Sequence, residues 1–317
     1  MGDTRPPRVL TAGETMALLD PVGDGELDAS TQLTLRIGGA ESNFAIAIAR
    51  MGEGVAWISR LGADPLGDLI QRTLVAEGVD VSYVRRDRSA QTGVFFKWRS
   101  GGKSHVLYAR TGSAATRLTP EDVPDEALTG IELVHLTGIT MALGEGPRAL
   151  VISVAERARA RGITVLFDPN WREALWESPA AAAAIQAEVL PHVDWYLCGE
   201  QEGHLLFGTE TVDALVSSAQ ALGVRQVAVR IGSRGAVVHG RVVRPTKVTP
   251  VRDEIGAGDG FAAGFAFGLI HGLDSEACAR SGNLLASAAL TGTGDWETFP
   301  FLADVEADLL ELGAVRR

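Results

Sequence analysis

The sequence predicts an α/β fold in which a parallel sheet lies between two layers of helices. Apolar segments with the composition of buried strands alternate with segments of helical periodicity over most of the 317 residues. No internal repeat and no Pro-, Gly- or Ser-rich linker interrupts the alternation. Strands that alternate with helices form parallel sheets covered on both faces, and their ligands bind at the carboxyl ends of the strands. The length suits one large domain with an appendage, or two smaller domains.

Segments with the apolar content of buried strands supply the predicted main sheet. They are residues 8–12, 55–59, 131–136, 162–167, 193–197 and 224–231. Segments with apolar residues at helical spacing lie between them. The predicted helices are 42–51, 64–77, 147–161, 179–190, 200–207, 211–222, two helices within 258–290 that break near Gly272, and 302–312. Ser42 has the residue type of a helix N-cap and is predicted to cap the first helix.

Two regions depart from this alternation and predict a smaller sheet. Residues 32–37 alternate polar and apolar side chains, which is the period of a half-buried strand. Residues 92–98 and 105–110 have strand character and flank Ser100-Gly101-Gly102, so they predict a hairpin. We expect these segments to form a small sheet apart from the main one.

The composition is that of a globular protein with a sizeable core. Apolar residues make up 46% of the chain and charged residues 22%. The formal net charge of −11 argues against general binding to nucleic acid or to an anionic membrane, since both favour positive charge. The first residues lack the pattern of a secretory signal, and 261–270 is too short to span a bilayer. Cys198 and Cys278 have no metal-site spacing and suit a reducing cytoplasm, where we expect the protein.

The segment 253–261, DEIGAGDGF, carries the strongest functional pattern. Gly256 and Gly258 let the backbone turn tightly and approach a ligand closely. The following residues have helical spacing, and the unpaired N–H groups of a helix start favour an anion such as a phosphoryl group. Asp259 could there accept the proton of a hydroxyl that attacks a γ-phosphate. The alternative is a Gly-rich hairpin turn, against which the helical spacing argues.

The same segment resembles the second signature of the ribokinase-like carbohydrate kinases (the PfkB family), whose usual form is Asp-Thr-x-Gly-Ala-Gly-Asp. The resemblance implies that Asp259 is the catalytic base. It assigns the anion hole to the backbone of Gly256, Ala257 and Gly258. Glu254 stands where threonine is usual, which leaves the anion site intact. The family often binds a monovalent cation such as K⁺ nearby, and the resemblance makes Asp253 a candidate contact.

A second pattern, IGGAESN at 37–43, precedes the first long predicted helix. Gly38 and Gly39 permit close approach of the backbone to a sugar, and the Asn43 amide can bond to hydroxyl groups. An ordinary strand-to-helix turn capped by Ser42 explains the same residues. The segment resembles the family's first signature. Its form is similar to that of 2-keto-3-deoxygluconate kinases, whereas fructokinases more often carry Pro-Ala before the asparagine.

Residues 168–176 follow a predicted strand at its carboxyl end. Arg172 in this segment could bind a carboxylate or phosphate through two parallel hydrogen bonds. A helix-start turn with a solvated Arg172 is the alternative. The segment resembles the Asp-x-Asn-x-Arg block that meets the acidic sugar and the phosphates in ketodeoxygluconate kinases. That resemblance implies contacts of Arg172 with both substrates and of Asn170 with the nucleotide.

Three residues of the predicted hairpin are further candidates for sugar binding. Tyr108 and Arg110 have the spacing of a pair that holds the sugar acid from the lid in ketodeoxygluconate kinases. Phe95 lies where a tyrosine is common in those kinases. The resemblance therefore implies a substrate site that has lost one hydroxyl contact.

Two more segments resemble family motifs for the metal and the nucleotide. Residues 199–202 are similar to the Asn-x-x-Glu motif that orients magnesium and phosphate; Glu202 matches, and Gly199 replaces the asparagine. An acidic helix start is the other explanation. Residues 230–235 resemble a Lys-x-Gly-x-x-Gly nucleotide loop, although taken alone they are a turn between strands. The implied nucleotide contacts are Arg230, Gly232, Gly235, Gly256, Gly258 and, near the adenine or simply on a helix surface, Asn283.

The resemblance covers nearly the whole chain and implies one ribokinase-like kinase domain over residues 1–317. Its fold would be a three-layer α/β/α sandwich with a small β lid from about 32–38 and 92–110. The implied cofactors are ATP and Mg²⁺, with Glu202 acting on the metal indirectly. Lids in this family often pair between subunits, so the resemblance also implies a homodimer or a higher homo-oligomer.

The implied reaction transfers a phosphoryl group from ATP to the primary hydroxyl of 2-keto-3-deoxygluconate or a similar keto-deoxy sugar acid. Kinases of neutral sugars such as fructose or ribose share most of this scaffold and remain an alternative. A nucleoside kinase is a second alternative, against which Arg110 and Arg172 argue. A non-catalytic sensor of sugar or nucleotide is a third, against which the intact Gly-Ala-Gly-Asp sequence argues.

Overall fold

The computed structural model describes residues 6–23, 25–101, 103–245, 251–252 and 255–313. The strands are β1 (Val9–Ala12), β2 (Met16–Pro21), β3 (Leu33–Gly38), β4 (Val55–Ile58), β5 (Arg60–Gly62), β6 (Arg85–Asp87), β7 (Val94–Ser100), β8 (Lys103–Ala109), β9 (Leu133–Thr137), β10 (Thr164–Asp168), β11 (Trp195–Gly199), β12 (Gln226–Arg230), β13 (Ala236–Val238) and β14 (Arg241–Val243). The α-helices are α1 (Ala40–Arg50), α2 (Pro65–Ala76), α3 (Gly138–Ala142), α4 (Glu145–Ala160), α5 (Pro179–Gln186), α6 (Glu200–Phe207), α7 (Val212–Ala221), α8 (Ala257–Ile270), α9 (Ser275–Ala289) and α10 (Leu302–Glu311).

The main sheet has the strand order β14-β13-β12-β11-β10-β9-β1-β4. Neighbouring strands from β12 to β4 are parallel, and β13 and β14 add to one edge in antiparallel fashion. The predicted parallel sheet is confirmed. Because its strands share one direction, the loops that follow β1, β9, β10, β11 and β12 meet at the same edge.

Apolar side chains alternate along the central strands and form one core on each face of the sheet. In β10, Leu166 packs in the core that contains α1, α2, α8, α9 and α10. Its neighbours Val165 and Phe167 pack in the core that contains α3 to α7. The central strands therefore carry buried apolar side chains on both faces of the sheet. This three-layer α/β/α sandwich confirms the predicted fold class.

A separate four-stranded sheet has the order β3-β2-β7-β8. Strands β3, β7 and β8 overlap the segments that were predicted to form a small sheet, and the hairpin between β7 and β8 is confirmed. Strand β2 was not predicted, because its sequence MALLDP has a continuous apolar run in place of alternation. Met16, Leu18 and Phe95 pack together on one face of this sheet with Tyr108 beside them.

Five α-helices, α2, α3, α5, α7 and α9, begin after an Asp, Ser or Thr whose side chain caps the first turn. Asp64 caps α2 by accepting a hydrogen bond from the Gly67 N–H (2.8 Å). The prediction that Ser42 caps the first helix is wrong, since α1 begins at Ala40 and Ser42 lies inside it. There the Ser42 hydroxyl donates to the Gly39 carbonyl (3.0 Å). Gly39 is therefore the N-cap of α1. The sequence pattern placed the helix start too late, because alanine and glutamate carry no capping signal.

The short helix α3 was not predicted, and the remaining helices confirm the predicted ones with small shifts at their ends. The largest shift is in α5, which ends at Gln186, after which Leu190–His192 forms a short 3₁₀ turn. Within the ranges that the structure describes, no helix combines the length and the apolar character needed to cross a membrane.

Candidate active site

A cavity of about 800 Å³ lies at the carboxyl ends of the parallel strands, between the main sheet and the four-stranded sheet. Seventeen of the residues singled out in the sequence line it. They are Gly38, Gly39, Asn43, Phe95, Tyr108, Arg110, Asn170, Arg172, Glu202, Arg230, Gly232, Gly235, Gly256, Ala257, Gly258, Asp259 and Asn283. Their positions span the sequence from β3 to α9, and the fold brings them to one site. The remaining candidate, Asp253, lies outside the described residues.

Asp259 lies in the first turn of α8 and is 8% exposed. Two side-chain amides donate to its carboxylate. Asn43 Nδ2 lies 2.8 Å from Asp259 Oδ2, and Asn170 Nδ2 lies 3.3 Å from Oδ1. Both amides come from loops or helix starts at the carboxyl edge of the sheet, so they hold the carboxylate towards the cavity.

The electrostatic surroundings of Asp259 raise the pKa of its carboxyl group from 3.8 to about 7. Burial is the main cause, because it disfavours the charged form. The hydrogen bond from Asn43 and the charge of Arg172 lower the pKa, whereas Asp168 and Asp295 raise it further. A carboxyl group with this pKa can gain and lose a proton near neutral pH, as a general base requires.

The start of α8 has the geometry of an anion-binding backbone. Gly256 precedes the helix with φ +79°, and a Cβ there would lie 2.0 Å from the Asp295 carbonyl oxygen. The first N–H engaged within the helix is that of Gly260, which donates to the Gly256 carbonyl (2.8 Å). The N–H groups of Ala257 and Gly258 precede it, and like those of any helix start they have no partner inside the helix. They can stabilise negative charge in the cavity.

Two glycines allow the main chain to pass close beneath the cavity. A Cβ on Gly39 would lie 2.3 Å from the Glu14 carbonyl oxygen, and one on Gly38 would lie 2.5 Å from Asp295 Oδ2. Neither position accepts a side chain without displacing its neighbour. The wall opposite is formed by Phe95 and Tyr108, whose rings stack with centroids 6.0 Å apart. This part of the cavity has the mixed polar and aromatic lining of a sugar site.

Arg110 is buried and forms an ion pair with Glu14, which is also buried. Its guanidinium also lies over the Tyr108 ring, 5.5 Å from the centroid. Ser113 donates a hydrogen bond to the other carboxylate oxygen of Glu14. The role of Glu14 was not predicted, although the residue lies directly after the first strand, where parallel sheets place their ligand-binding groups.

A second buried ion pair at the cavity was also not predicted. Lys97 Nζ lies 3.4 Å from Asp295 Oδ1, and both residues line the cavity. Lys97 is two positions after Phe95 on β7, so the strand period places it on the same face. Asp295 comes from the loop between α9 and α10, which no sequence pattern connected to the site.

Arg230 lies at the end of β12 and bridges two acidic side chains. Nη1 donates to Asp168 Oδ2 (2.6 Å) and Nη2 to Asp168 Oδ1 (3.1 Å), while Nη2 also donates to Glu202 Oε1 (2.8 Å). Nη1 is 3.3 Å from the Gly258 carbonyl oxygen. Burial opposes the charge of Arg230, but Asp168 and Glu202 outweigh it and raise the pKa of the guanidinium.

Both carboxylate oxygens of Glu202 are occupied by donors from the protein. Oε1 accepts from Arg230 and from the Gly199 N–H, and Oε2 accepts from the Trp171 N–H (2.9 Å). Within the described ranges, no three His, Cys, Asp or Glu side chains are grouped so that they could hold a metal ion. The described residues therefore do not fit direct metal coordination. They fit a contact through water, as Mg²⁺ commonly makes when phosphates supply its ligands.

The residues predicted for the nucleotide lie at the other end of the cavity. Gly235 has φ +100°, and a Cβ there would lie 2.1 Å from the Val243 carbonyl oxygen. Asn283 Nδ2 donates to the same carbonyl (2.9 Å). Asn283 is buried and is not simply on a helix surface. The Asn283 bond joins α9 to the end of β14, beside which the turn at Gly235 passes.

Arg172 is exposed at the mouth of the cavity, and its Nη1 donates to the Trp171 carbonyl (3.2 Å). Asn170 nearby has φ +41°, a left-handed conformation that asparagine tolerates better than most residues. Its N–H donates to Asp168 Oδ1 (2.9 Å) and closes a short turn. The turn directs the Asn170 amide to Asp259.

Comparison with known proteins agrees with the architecture and with these motifs. Residues 7–301 match the pattern of the pfkB family carbohydrate kinases. The chain belongs to the pfkB family. It is therefore a carbohydrate kinase, and its three-layer sandwich with a small β sheet is the ribokinase-like fold that the motifs implied.

Curated relatives of this pfkB-family kinase carry two kinds of name. The chain is 33% identical to the 2-dehydro-3-deoxygluconokinase of Bacillus subtilis, with 92% of each chain covered. It is 32% identical to that of Thermoproteus tenax, with 94% of this chain and 93% of the relative covered. It is 30% identical to a fructokinase of Klebsiella pneumoniae, with 94% and 99% covered. These relatives are thus named for an acidic sugar in two cases and for a neutral sugar in the third.

Solved structures share the fold over nearly the whole chain. A PfkB protein from Polaromonas sp. has a TM-score of 0.86 at 32% identity and covers 95% of this chain and 99% of its own. A fructokinase double mutant from Vibrio cholerae, with fructose, ADP and a potassium ion bound, has a TM-score of 0.83 at 26% identity, with 95% and 97% covered.

Proposed function

We propose that this pfkB-family kinase transfers the γ-phosphoryl group of ATP to the primary hydroxyl of 2-keto-3-deoxygluconate, also called 2-dehydro-3-deoxygluconate, or of a similar keto-deoxy sugar acid. The observation that carries the proposal is that Lys97, Arg110 and Arg172 line the same cavity as the buried carboxylate of Asp259. A sugar acid brings a carboxylate, and cationic groups attract it more strongly in a cavity than in water. The relatives named 2-dehydro-3-deoxygluconokinase support the same substrate class.

In the proposed reaction Asp259 takes the proton of the primary hydroxyl. The hydroxyl oxygen then forms a bond to the γ-phosphorus, the bond from that phosphorus to the β,γ-bridging oxygen breaks, and ADP leaves. The backbone N–H groups of Gly256, Ala257 and Gly258 stabilise the charge on the transferring group. The position of Asp259 in the first turn of α8 supports this arrangement, because the base and these N–H groups then lie within one helix turn.

The sugar is proposed to lie between Gly38 and Gly39 on one side and Phe95 and Tyr108 on the other. Within the described part of the chain Asn43 Oδ1 has no hydrogen-bond partner, although it is buried. A sugar hydroxyl that donates to it would remove the cost of leaving this oxygen unpaired.

Arg110 is proposed to face the carboxylate side of the sugar. Its Nε is buried and has no hydrogen-bond partner among the residues that the structure describes. Glu14 holds the guanidinium in place and offsets its charge. An anionic ligand can then gain a hydrogen bond without a large rearrangement of the arginine.

The nucleotide is proposed to bind at the end formed by Gly232, Gly235 and Asn283, with its phosphates towards Asn170 and Arg172. Magnesium would arrive with the phosphates, keep most of its water ligands and contact Glu202 through water. When bound, it would neutralise negative charge on the phosphates. The Vibrio cholerae structure, which contains ADP and a potassium ion, supports a nucleotide and a cation in this family. For this chain the cation contact of Asp253 stays a proposal.

A kinase of a neutral sugar is the second candidate. The fructokinase relative with 30% identity favours it, and so does the pairing of Arg110 with Glu14, which reduces the net positive charge at the sugar end. The two candidates share Asp259 as the base and differ only in what the cationic groups contact.

Coupled ADP release tests the proposal directly. Purified protein with ATP and Mg²⁺ would be assayed against ketodeoxygluconate, ketodeoxygalactonate, fructose, ribose and adenosine. A kcat/KM at least about 10-fold higher for a ketodeoxy acid than for fructose is expected, which corresponds to about 1.4 kcal/mol. A preference for fructose or ribose would show that the substrate is a neutral sugar and would leave the proposed role of Asp259 unchanged. Turnover of none of these compounds would favour a non-catalytic sensor of sugar or nucleotide.

We also propose that two copies of the chain pair through the four-stranded sheet. Phe95 and Tyr108 face the cavity, so Leu107, the next residue along β8, lies on the opposite face, and strand pairing puts Leu33 and Leu35 there too. Leu33, Leu35 and Leu107 are 42%, 47% and 56% exposed. A cluster of exposed leucines on an open sheet suits an interface between copies.

Sedimentation of Leu107→Asp would test this pairing. The unaltered chain is expected to sediment as a dimer and the variant as a monomer, because the new charge would be buried at the interface. Leu222→Asp changes another exposed leucine, 42% exposed at the end of α7, and is expected to leave the dimer intact. A monomeric unaltered chain, or the same dimer in all three proteins, would contradict the proposed interface.

A further inference from the structure

Arg230 does not contact the proposed base, Asp259, but is linked to it through Asp168 and Asn170. Its two terminal nitrogens clasp the carboxylate of Asp168, at 2.6 and 3.1 Å. The same Asp168 oxygen that accepts from Nη2 also accepts the Asn170 N–H (2.9 Å). The Asn170 amide in turn donates to Asp259 Oδ1 (3.3 Å). A continuous series of hydrogen bonds thus runs from the end of β12 to the base on α8.

The turn at Asn170 depends on Asp168 being held in one orientation. Asn170 has φ +41°, which costs free energy for any residue with a side chain and persists only where surrounding contacts fix it. Asp168 supplies one such contact, since it accepts the backbone N–H of Asn170. Asp168 is itself 1% exposed, so its charge needs a partner, and Arg230 provides it.

Arg230 also contacts the other half of the catalytic apparatus. Nη1 lies 3.3 Å from the carbonyl oxygen of Gly258, within the backbone segment that is proposed to bind the transferring group. Nη2 donates to Glu202 Oε1, and Glu202 Oε2 accepts the N–H of Trp171, the residue directly after Asn170. Both sides of the Asn170 turn are therefore tied to one guanidinium.

We propose that Arg230 is a positioning residue that holds the Asn170 amide against the catalytic base, and that it is not primarily a ligand of the nucleotide. Both terminal nitrogens are already engaged by Asp168, Glu202 and Gly258, and the side chain is 17% exposed. A phosphate contact by these nitrogens would have to displace those acceptors. The planar fork makes these four hydrogen bonds from two separate nitrogens, whereas a lysine has only three N–H donors, all on one nitrogen.

The test is the kinetics of Arg230→Lys, which keeps the charge and removes the fork. We expect kcat to fall about 10-fold or more, because small displacements of catalytic groups have effects of this size, while the KM for ATP changes by less than about 3-fold. Arg225→Lys is the matched control. Arg225 precedes the same strand at its opposite end, pairs with Asp194 and lies far from the cavity lining, so its replacement is expected to change neither constant.

A double-mutant cycle identifies the path of the effect. Asn170→Gly removes the amide and accepts the positive φ of that position. If Arg230 acts through Asn170, the variant with both changes loses little more kcat than either single variant. Multiplicative losses in the double variant would overturn the proposal. A KM for ATP that rises about 10-fold or more with kcat preserved would also overturn it and make Arg230 a nucleotide ligand.

Asp168→Asn provides a second route in case Arg230→Lys fails to fold. Asparagine keeps the size and one oxygen for the Asn170 N–H but loses the ion pair, so the same fall in kcat with a preserved KM for ATP is expected. Unchanged kcat in this variant would contradict the proposal. The inference rests on the proposed role of Asp259: turnover that survives in Asp259→Asn overturns that role, whereas normal kcat in Arg230→Lys with an inactive Asp259→Asn overturns only the role of Arg230.

Discussion

The side-chain amide of Asn43 donates to Asp259 Oδ2 over 2.8 Å and joins two residues that are 216 positions apart in the chain. Asn43 lies in the first long helix and Asp259 at the start of α8, so the bond connects the two signatures of the family. It also stabilises the charged form of a carboxylate that burial destabilises. The pKa of Asp259 is therefore set largely by two opposing effects: burial raises it and the hydrogen bond from Asn43 lowers it.

Replacing Asp259 by Asn should abolish turnover and spare nucleotide binding. The side chain keeps its size but cannot accept the proton of the sugar hydroxyl, and a general base contributes on the order of 10²- to 10⁴-fold. Coupled ADP release would measure kcat, and titration with ADP would measure the Kd. Turnover within about 3-fold of the unaltered enzyme would refute the role of Asp259.

The same substitution should raise the melting temperature at pH 8 by a few degrees. Burial raises the pKa of Asp259 from 3.8 to about 7, so the stability linked to its proton is present below about pH 4 and is lost as the pH rises through 7. Asparagine does not ionise and escapes this loss. Thermal melts of both proteins at pH 5 and pH 8 would check it, and a gain at pH 5 as large as at pH 8 would count against the raised pKa.

The activity of the unaltered enzyme should rise with pH through about 7. The ionised form of Asp259 is the proposed base, so kcat/KM should fall about 10-fold per pH unit well below the pKa and level off above it. Measurement of kcat/KM for the sugar from pH 5.5 to 9 with saturating ATP would give the apparent pKa of the enzyme–ATP complex. A profile that stays flat down to pH 5.5 would show that the carboxyl group titrates near its ordinary value.

Replacing Asn43 by Ala should move this pH profile to higher pH. The amide lowers the pKa of Asp259, so its loss raises the pKa and leaves less of the base ionised at pH 7. Ser42→Ala is the matched control, since the Ser42 hydroxyl donates to the Gly39 carbonyl and not to Asp259. Equal profiles for both variants would mean that the Asn43 amide does not set the pKa.

Gly256→Ala should be more damaging than Gly78→Ala. The two glycines have nearly the same backbone angle, φ +79° and +83°, which costs an alanine about 1 kcal/mol. A Cβ at Gly256 would also lie 2.0 Å from the Asp295 carbonyl oxygen, whereas nothing lies within 4 Å at Gly78. Thermal melts should show the larger loss for Gly256→Ala, together with a fall in kcat. Equal melting temperatures would mean that the loop at Asp295 moves aside freely.

Arg172→Gln should lower kcat/KM for a ketodeoxy sugar acid more than for fructose. Arg172 lies exposed at the cavity mouth, and its charge acts on Asp259. Loss of a cation that faces a carboxylate is expected to reduce kcat/KM about 10-fold for the acid. Parallel losses for both sugars would indicate that Arg172 contacts the phosphates and does not discriminate between the sugars.

The motif residues could be predicted because each motif is continuous in the sequence. Gly256, Ala257, Gly258 and Asp259 are neighbours, so helical spacing after them was enough to place a base beside the N–H groups of a helix start. The alternation of strands and helices likewise fixed the parallel sheet, because a strand buried on both faces reads as an unbroken apolar run. Because parallel sheets bind their ligands at the carboxyl ends of the strands, this prediction also placed the site at that edge of the sheet.

The tertiary structure alone decided which charges meet in that site. The pairs Glu14–Arg110 and Lys97–Asp295 and the bridge from Arg230 to Glu202 join segments with no local signal for each other. Periodicity tells which face of a strand a residue lies on, but not which element lies opposite. That depends on the strand order and on the packing of both layers, which are properties of the whole chain. The sequence thus determined the chemistry available at the site, and the packing determined which of its charges are paired.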